Sequence, residues 1–415
     1  MLINLRNALM AGKRLPYDAE VEYLESTSTS ATNPDRYPGR EYFNMGHFPY
    51  TQFRVRMDII PNFNASYISR PVLFGNNSTS DNDGVALYYN WGGYTFGYGN
   101  NATRIGTDAA HRGARTIIDI TIGSDTQTLV TEAEGYNQQS ATLTASCFPT
   151  DSRDMYLLNN NGSIVYGGAI AQVRLFGVQV YDSNNTLVRD YIPVRKGTVG
   201  YLYDRVSGKL FGNAGTGDFV LGPDVVPVEY IESHGAEWID TGTLVEMTDK
   251  VDCTFELLAY GDATLAGARV DSSNYSLAIW AYTNAEQCIR FDLFSDNNHG
   301  GIATSIAPTL GQEYKVSKIG IRNFVDGVEV QSNATVAYAP VRPCYLFAMN
   351  NGGTASFIGN CRIKDFSIGG KLKYRPVRVG TEGAMMDVLT RRIYRNQGTG
   401  AFTYGNDLKY PIPAS

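Results

Sequence analysis

The sequence predicts an all-β chain of two two-sheet sandwiches in tandem, and three observations predict it. Among its 415 residues are 43 glycines, 16 prolines and 28 tyrosines, a mixture suited to many short strands joined by tight turns. Short segments alternate apolar and polar residues with period 2, the mark of half-buried strands. The second half of the chain also repeats the first. At roughly 100–200 residues per domain, the length itself calls for two or three domains.

From the N-terminus, residues 1–19 stand outside the repeat. Leu2 to Ala11 is the one helical candidate, with Leu5, Leu9 and Met10 in helical register and Arg6, Lys13 and Arg14 adding positive charge. A ten-residue helix is marginal in water, so this helical or extended segment is expected to order by docking, with Leu2, Leu5, Arg6, Leu9 and Met10 as the anchor. It makes a poor secretion signal, because Arg6 interrupts the apolar stretch and Lys13-Arg14 follows it.

The repeat opens with Val21-Glu22-Tyr23-Leu24-Glu25-Ser26, which returns as Val228-Glu229-Tyr230-Ile231-Glu232-Ser233, 207 positions on. Glu41-Tyr42-Phe43-Asn44-Met45-Gly46 answers Glu237-Trp238-Ile239-Asp240-Thr241-Gly242 at an offset of 196. Asp190-Tyr191-Ile192-Pro193-Val194-Arg195 answers Lys373-Tyr374-Arg375-Pro376-Val377-Arg378, and Asn213 to Phe219 answers Asn396 to Phe402, both at 183. An offset that only falls means that the copies share their ends and differ by deletions inside the second, where loops lie. The expected domains are a first sandwich over 20–226 and a second over 227–415. Their join, Leu221 to Pro227, is short and stiffened by proline. Within the copies, Phe53 to Ile59, Val173 to Val180 and Tyr314 to Ile319 alternate as strands, with turns at Asn159 to Gly162 and Asp182 to Asn185.

Composition excludes several functions. Apolar residues make up 43% and charged residues 18%, so the chain folds. A net charge of −6 argues against nucleic-acid binding through phosphate neutralisation, and no run of 18 apolar residues offers a membrane span. Charge is nevertheless uneven: from Arg362 to Arg395, nine Lys or Arg face three acids. That span suits either an oriented contact with an acidic partner or second subunit, or a solvated strand face laced with salt bridges. The five cysteines, Cys147, Cys253, Cys288, Cys344 and Cys361, are odd in number and without a C-x-x-C pair. They read as buried free thiols of a protein assembled in a reducing cytoplasm.

Trp238-Ile239-Asp240-Thr241-Gly242, the closing Tyr201-Leu202-Tyr203-Asp204-Arg205-Val206-Ser207-Gly208-Lys209-Leu210-Phe211-Gly212-Asn213 and the mid-domain Phe324-Val325-Asp326-Gly327-Val328 resemble the concanavalin A-like (LamG-like) jelly-roll domains common in gut phage and Bacteroidetes proteins. The resemblance covers nearly everything beyond residue 20. At the end of the second copy Thr390-Arg391 stands where the first has Ser207-Gly208. The resemblance implies tandem jelly rolls in a non-enzymatic virion part of a crAss-like or other gut bacteriophage, an exposed head or tail appendage. Other virion proteins and further copies of the chain are then its partners, and the virion, assembled in the host cytoplasm, its location. The alternative is a carbohydrate-binding adhesin or receptor-binding module for host surface glycans.

An enzyme of this fold would resemble glycosidases carrying the acids of E-x-D-x-x-E on one strand, as a pair of carboxylates at a sugar requires. The motif is absent, and Glu237 and Asp240 sit in the repeat's opening signature, where Asn44 replaces Asp240. The four histidines, at 47, 111, 234 and 299, have no His or Cys near them in sequence, and Gly212 to Gly217 lacks the Lys-Ser/Thr of a phosphate loop. No catalytic residue and no cofactor is therefore expected. Calcium at Asp81-Asn82-Asp83-Gly84 is the one alternative, although such Asx-Gly turns form without metal. The candidate for carbohydrate is aromatic: Trp91, Tyr94, Phe96 and Tyr98, with alternation placing the last three on one face beside glycines. Core packing is the competing use for such rings. The second copy keeps only Trp280 and Tyr282 in that region.

Overall fold

The computed structural model describes residues 15–27, 41–48, 52–62, 71–76, 84–90, 93–98, 101–104, 111–144, 153–161, 172–271, 276–294, 301–332 and 340–408. The anchor residues Leu2, Leu5, Arg6, Leu9 and Met10 fall outside them, as do Trp91 and the Asp81 to Asp83 loop. All regular structure among the described residues is β, and the chain divides into two compact units, Met1–Asp224 and Val225–Ser415.

In the first unit the larger sheet runs Gln139–Thr144, Thr126–Ala133, Thr116–Ile122, Phe53–Pro61, Val173–Asp182, Leu187–Lys196, Val199–Asp204 and Lys209–Gly212, every neighbour antiparallel. The smaller sheet runs Phe43–Asn44, Tyr156–Leu157, Val72–Gly75, Val85–Asn90, Gly93–Tyr98 and Asn101–Arg104. Strict alternation sorts the residues. Phe53, Val55, Met57 and Ile59 point inward and are buried, while Arg54, Arg56 and Asp58 point out. The inward rows of the two sheets meet in one core of Ile118, Ile120, Val178, Val180, Leu73, Phe74, Leu87 and their neighbours.

The second unit repeats this order. Val328–Ser332, Arg322–Val325, Glu313–Ile319, Lys250–Leu257, Asn360–Ile368, Leu372–Val379, Glu382–Asp387 and Ile393–Tyr394 form its larger sheet. Ile239–Asp240, Tyr345–Leu346, Ala263–Arg269, Ser276–Tyr282, Arg290–Phe294 and Ile302–Ala303 form the smaller. Even the irregularity recurs: a bulge at Phe176 against Phe53–Pro61 is matched by one at Lys364 against Lys250–Leu257. An added hairpin, Met349–Asn351 with Thr354–Ser356, lies parallel on Ala263–Arg269.

The sequence repeat is carried by side chains that bond backbone. Asn213 Oδ1 accepts from the Tyr42 and Gly215 amides at 3.0 and 2.9 Å, and Asn396 Oδ1 accepts from those of Trp238 and Gly398 at 3.1 and 2.8 Å. Asn44 and Asp240 each accept from the amide two residues on, at 2.8 Å. Asp204 accepts from the Val206 amide and the Ser207 hydroxyl, and Asp387 accepts from the Leu389 amide and the Thr390 hydroxyl. Thr390-Arg391 therefore builds the same turn as Ser207-Gly208. Arg391 occupies the left-handed conformation (φ 65°) that Gly208 adopts freely (φ 74°).

One core position is chemically inverted between the units. Ile120 and Lys318 are equivalent, since each lies opposite an inward valine, Val55 or Val251, in the same register. Lys318 is 2% exposed, and its Nζ has no hydrogen-bond partner among the described residues. Burial depresses its amine to about pH 8, partly opposed by the field of Asp292.

Two outcomes follow. Replacing Arg391→Gly removes a left-handed non-glycine residue and should stabilise the second unit by about 1 kcal/mol in urea titration. Folded Lys318 loses its proton near 8 while the unfolded residue holds it to its ordinary value, so unfolding takes up a proton between these limits. Wild-type stability should thus climb as pH rises through 8, by roughly 2–4 kcal/mol in all. Lys318→Met should be the more stable protein at pH 7, and its lead should shrink as pH rises from 8 to 10.

Candidate functional site

Two residues of the expected aromatic platform, Tyr94 and Phe96, are corrected by the structure, while Trp91 and the Tyr98 side chain lie outside what is described. Alternation does set Tyr94 and Phe96 on one face of Gly93–Tyr98, but that face is the core, and both rings are 0% exposed. Phe96 lies opposite Leu87, and Tyr94 meets Tyr89 edge-on with ring centroids 5.9 Å apart. Gly93 and Gly97 are buried as well, so the glycines mark close packing rather than access. The Tyr94 hydroxyl has no partner among the described residues, and burial pushes its pKa far upward. These rings cannot stack on a sugar.

The acids weighed in the sequence serve the fold. Glu237 Oε2 accepts from the His234 amide at 2.8 Å and from the Ser233 hydroxyl at 3.3 Å. Among the described residues no group of three or more His, Cys, Asp or Glu is arranged to hold a metal. Cys253, Cys288, Cys344 and Cys361 are free and buried, and burial raises all four thiols above their ordinary value. Five of the nine cations of the basic span from Arg362 to Arg395 form ion pairs among the described residues. Arg362 bridges Glu232 and Glu256 at 2.6 and 3.1 Å, Lys364 bridges Glu256 and Glu313 at 2.5 and 2.6 Å, and Lys371, Arg378 and Arg395 pair with Asp249, Asp407 and Glu382. These pairs are what a solvated face laced with salt bridges calls for.

The constellation that sequence reading missed lies on the outer face of the smaller sheet in the second unit. Trp280 points away from the core there, 7% exposed beside Ala278 and Met349 of the added hairpin. Its Nε1 donates to Asp292 Oδ2 at 2.7 Å, and Arg290 Nε donates to Asp292 Oδ1 at 2.7 Å while its Nη1 pairs with Glu286. Gly301 lies against this pair. A Cβ there would fall 1.5 Å from Asp292 Oδ1.

Next to it, the Phe357 ring meets Trp280 edge-on at 5.2 Å, and the Arg269 guanidinium lies over Phe357, 5.2 Å from its centroid. Phe357 is 37% exposed and held at φ 52°, where a bulky residue rarely sits. Arg269 Nε donates to Asn351 Oδ1 at 3.1 Å, and no carboxylate forms an ion pair with it among the described residues. Desolvation lowers its pKa, opposed by the fields of Asp292 and Asp271. An arginine fork held by an amide and an aromatic ring can donate to paired oxygens of a ligand, while Phe357 offers a flat apolar surface. The missed signal was Trp280 itself, whose outward position follows from alternation with the buried Leu277 and Ile279.

The strand order defines an all-β protein of two tandem jelly-roll sandwiches. No family model matches the chain, and no curated protein matches it. Among solved structures it aligns with domains LG4-5 of the mouse laminin alpha1 chain at 12% identity, covering 93% of this chain and 94% of that one, with a TM-score of 0.30. It also aligns with the LG1-3 region of the laminin alpha2 chain at 10% identity, covering 89% and 65%, again at 0.30. Scores so low carry no weight here, and the fold rests on the strand pairing above.

Gly301→Ala should push Asp292 off Trp280, shift the tryptophan emission and lower stability by about 2 kcal/mol. An unchanged emission spectrum would contradict the packing described.

Proposed function

We propose that this chain is a non-catalytic structural component of a bacteriophage particle, an exposed head or tail appendage whose N-terminal segment docks it. What carries this reading is the use made of its buried acids. Asp190, Asp204, Glu237, Asp292 and Asp387 are each bound to a backbone amide, a hydroxyl, an indole or an arginine. Catalytic carboxylates are instead poised toward a substrate. The four buried free thiols accord with assembly in a reducing cytoplasm, and the sequence resemblance to gut phage jelly rolls supplies the setting. Tyr17 is buried against Ile192, Val194 and Tyr203, and Ala19 pairs with Arg195, so the last residues of the expected 1–19 anchor belong to the first sandwich. Removing residues 1–14 should leave both sandwiches folded and abolish incorporation into particles; full incorporation of the truncated chain would refute the anchor.

A second role, glycan recognition, is favoured by the Arg269–Phe357 face. The arginine fork suits vicinal hydroxyls, and the exposed ring suits the C–H face of a sugar. A screen of immobilised glycans should show saturable binding by the wild type and at least tenfold weaker binding by Arg269→Ala and Phe357→Ala. Binding that survives both substitutions would remove this face from consideration.

A further inference from the structure

We infer that the first sandwich pairs with a second copy of this chain through the edge strand Gln139–Thr144. In this strand no residue is fully buried: Gln139, Ala141 and Leu143 are half-buried against the core side, and Ser140, Thr142 and Thr144 are exposed. Among the described residues it pairs only with Thr126–Ala133, in six unbroken register steps. An antiparallel strand directs every second N–H and C=O away from its partner, so this edge offers a row of backbone donors and acceptors to an incoming strand.

Proteins normally protect such an edge with a charge, a proline or a bulge. Gln-Ser-Ala-Thr-Leu-Thr has no charge and no proline, and its regular register leaves no bulge. The equivalent edge of the second unit, Val328–Ser332, has both other protections. A register shift interrupts its pairing with Arg322–Val325, and Glu329 stands on it in an ion pair with Arg322. The same position in the same fold is thus guarded in one unit and, among the described residues, unguarded in the other.

The strand's composition selects the occupant. In an isologous antiparallel pair each strand meets itself, so any charge near its middle would face a like charge. A two-fold axis perpendicular to the sheet at Ala141 or Thr142 keeps inward side chains on the inward face. It then sets Thr142 opposite Ser140 or Thr142 of the other copy, a hydroxyl-rich contact without repulsion. A second copy of Gln139–Thr144 fits this edge, and the two larger sheets become one.

The test is sedimentation velocity of the full chain over roughly 1 to 100 µM, a range suited to a modest interface. The expected result is a dimer whose fraction rises with concentration. Ser140→Lys with Thr142→Lys, both at exposed positions, should give a monomer with an unchanged melting temperature. Ser140→Glu with Thr142→Glu should do the same. Mixing the two charged variants should restore the dimer, which a merely folding-defective protein would not do. A wild type that stays monomeric throughout, a dimer indifferent to the lysines, or a mixture that fails to associate would each overturn the inference.

Discussion

Both sandwiches depend on a buried carboxylate that closes their last long hairpin. Asp204 is fully buried and accepts from the amides of Asp190 and Val206 and from the Ser207 hydroxyl. Asp387 does the same with Lys373, Leu389 and Thr390. A buried anion is tolerated only when its oxygens are filled by donors, and here one side chain binds two strands and the turn between them. Loss of that carboxylate would strand several amides in an apolar interior. The demand is strict enough that the turn keeps its shape when glycine is replaced by Arg391 at a left-handed φ.

Around these fixed points the cores diverge. The bulge that holds Phe176 under the Arg115 guanidinium, 4.0 Å from the ring, holds Lys364 between two glutamates in the other unit. The register is the same, so the backbone does not record the exchange. Lys318 for Ile120 is the costlier substitution, because an ammonium without a partner pays desolvation that a branched alkyl chain never meets.

Much of this was legible in the sequence. Period-2 alternation fixes the faces of Phe53–Pro61 and Val173–Asp182, and paired motifs at a falling offset announce the duplication. The glycine-rich turns and buried thiols were also accessible to reading. The candidate site was not, for a definite reason. Alternation tells which residues share a face but not whether that face looks at the other sheet or at water. For Tyr94 and Phe96 alternation therefore puts the two rings together and leaves open which side they face. The Arg269–Phe357 pairing joins residues 88 positions apart through a hairpin the first copy does not announce, and no local pattern encodes it.

The two copies also measure how this architecture drifts. What persists between them is short polar side chains turned back on the main chain: Asn213 and Asn396, Asn44 and Asp240, Asp204 and Asp387. A few buried apolar residues persist as well, Val21 and Val228, Tyr191 and Tyr374, Val194 and Val377, and Phe219 and Phe402. Common ancestry of the two copies is then written in a sparse set of turn-forming asparagines and aspartates together with a few buried apolar residues beside them, while the rest of the sequence diverges. A profile weighted on those few positions is the instrument with which distant kin of this chain would be found.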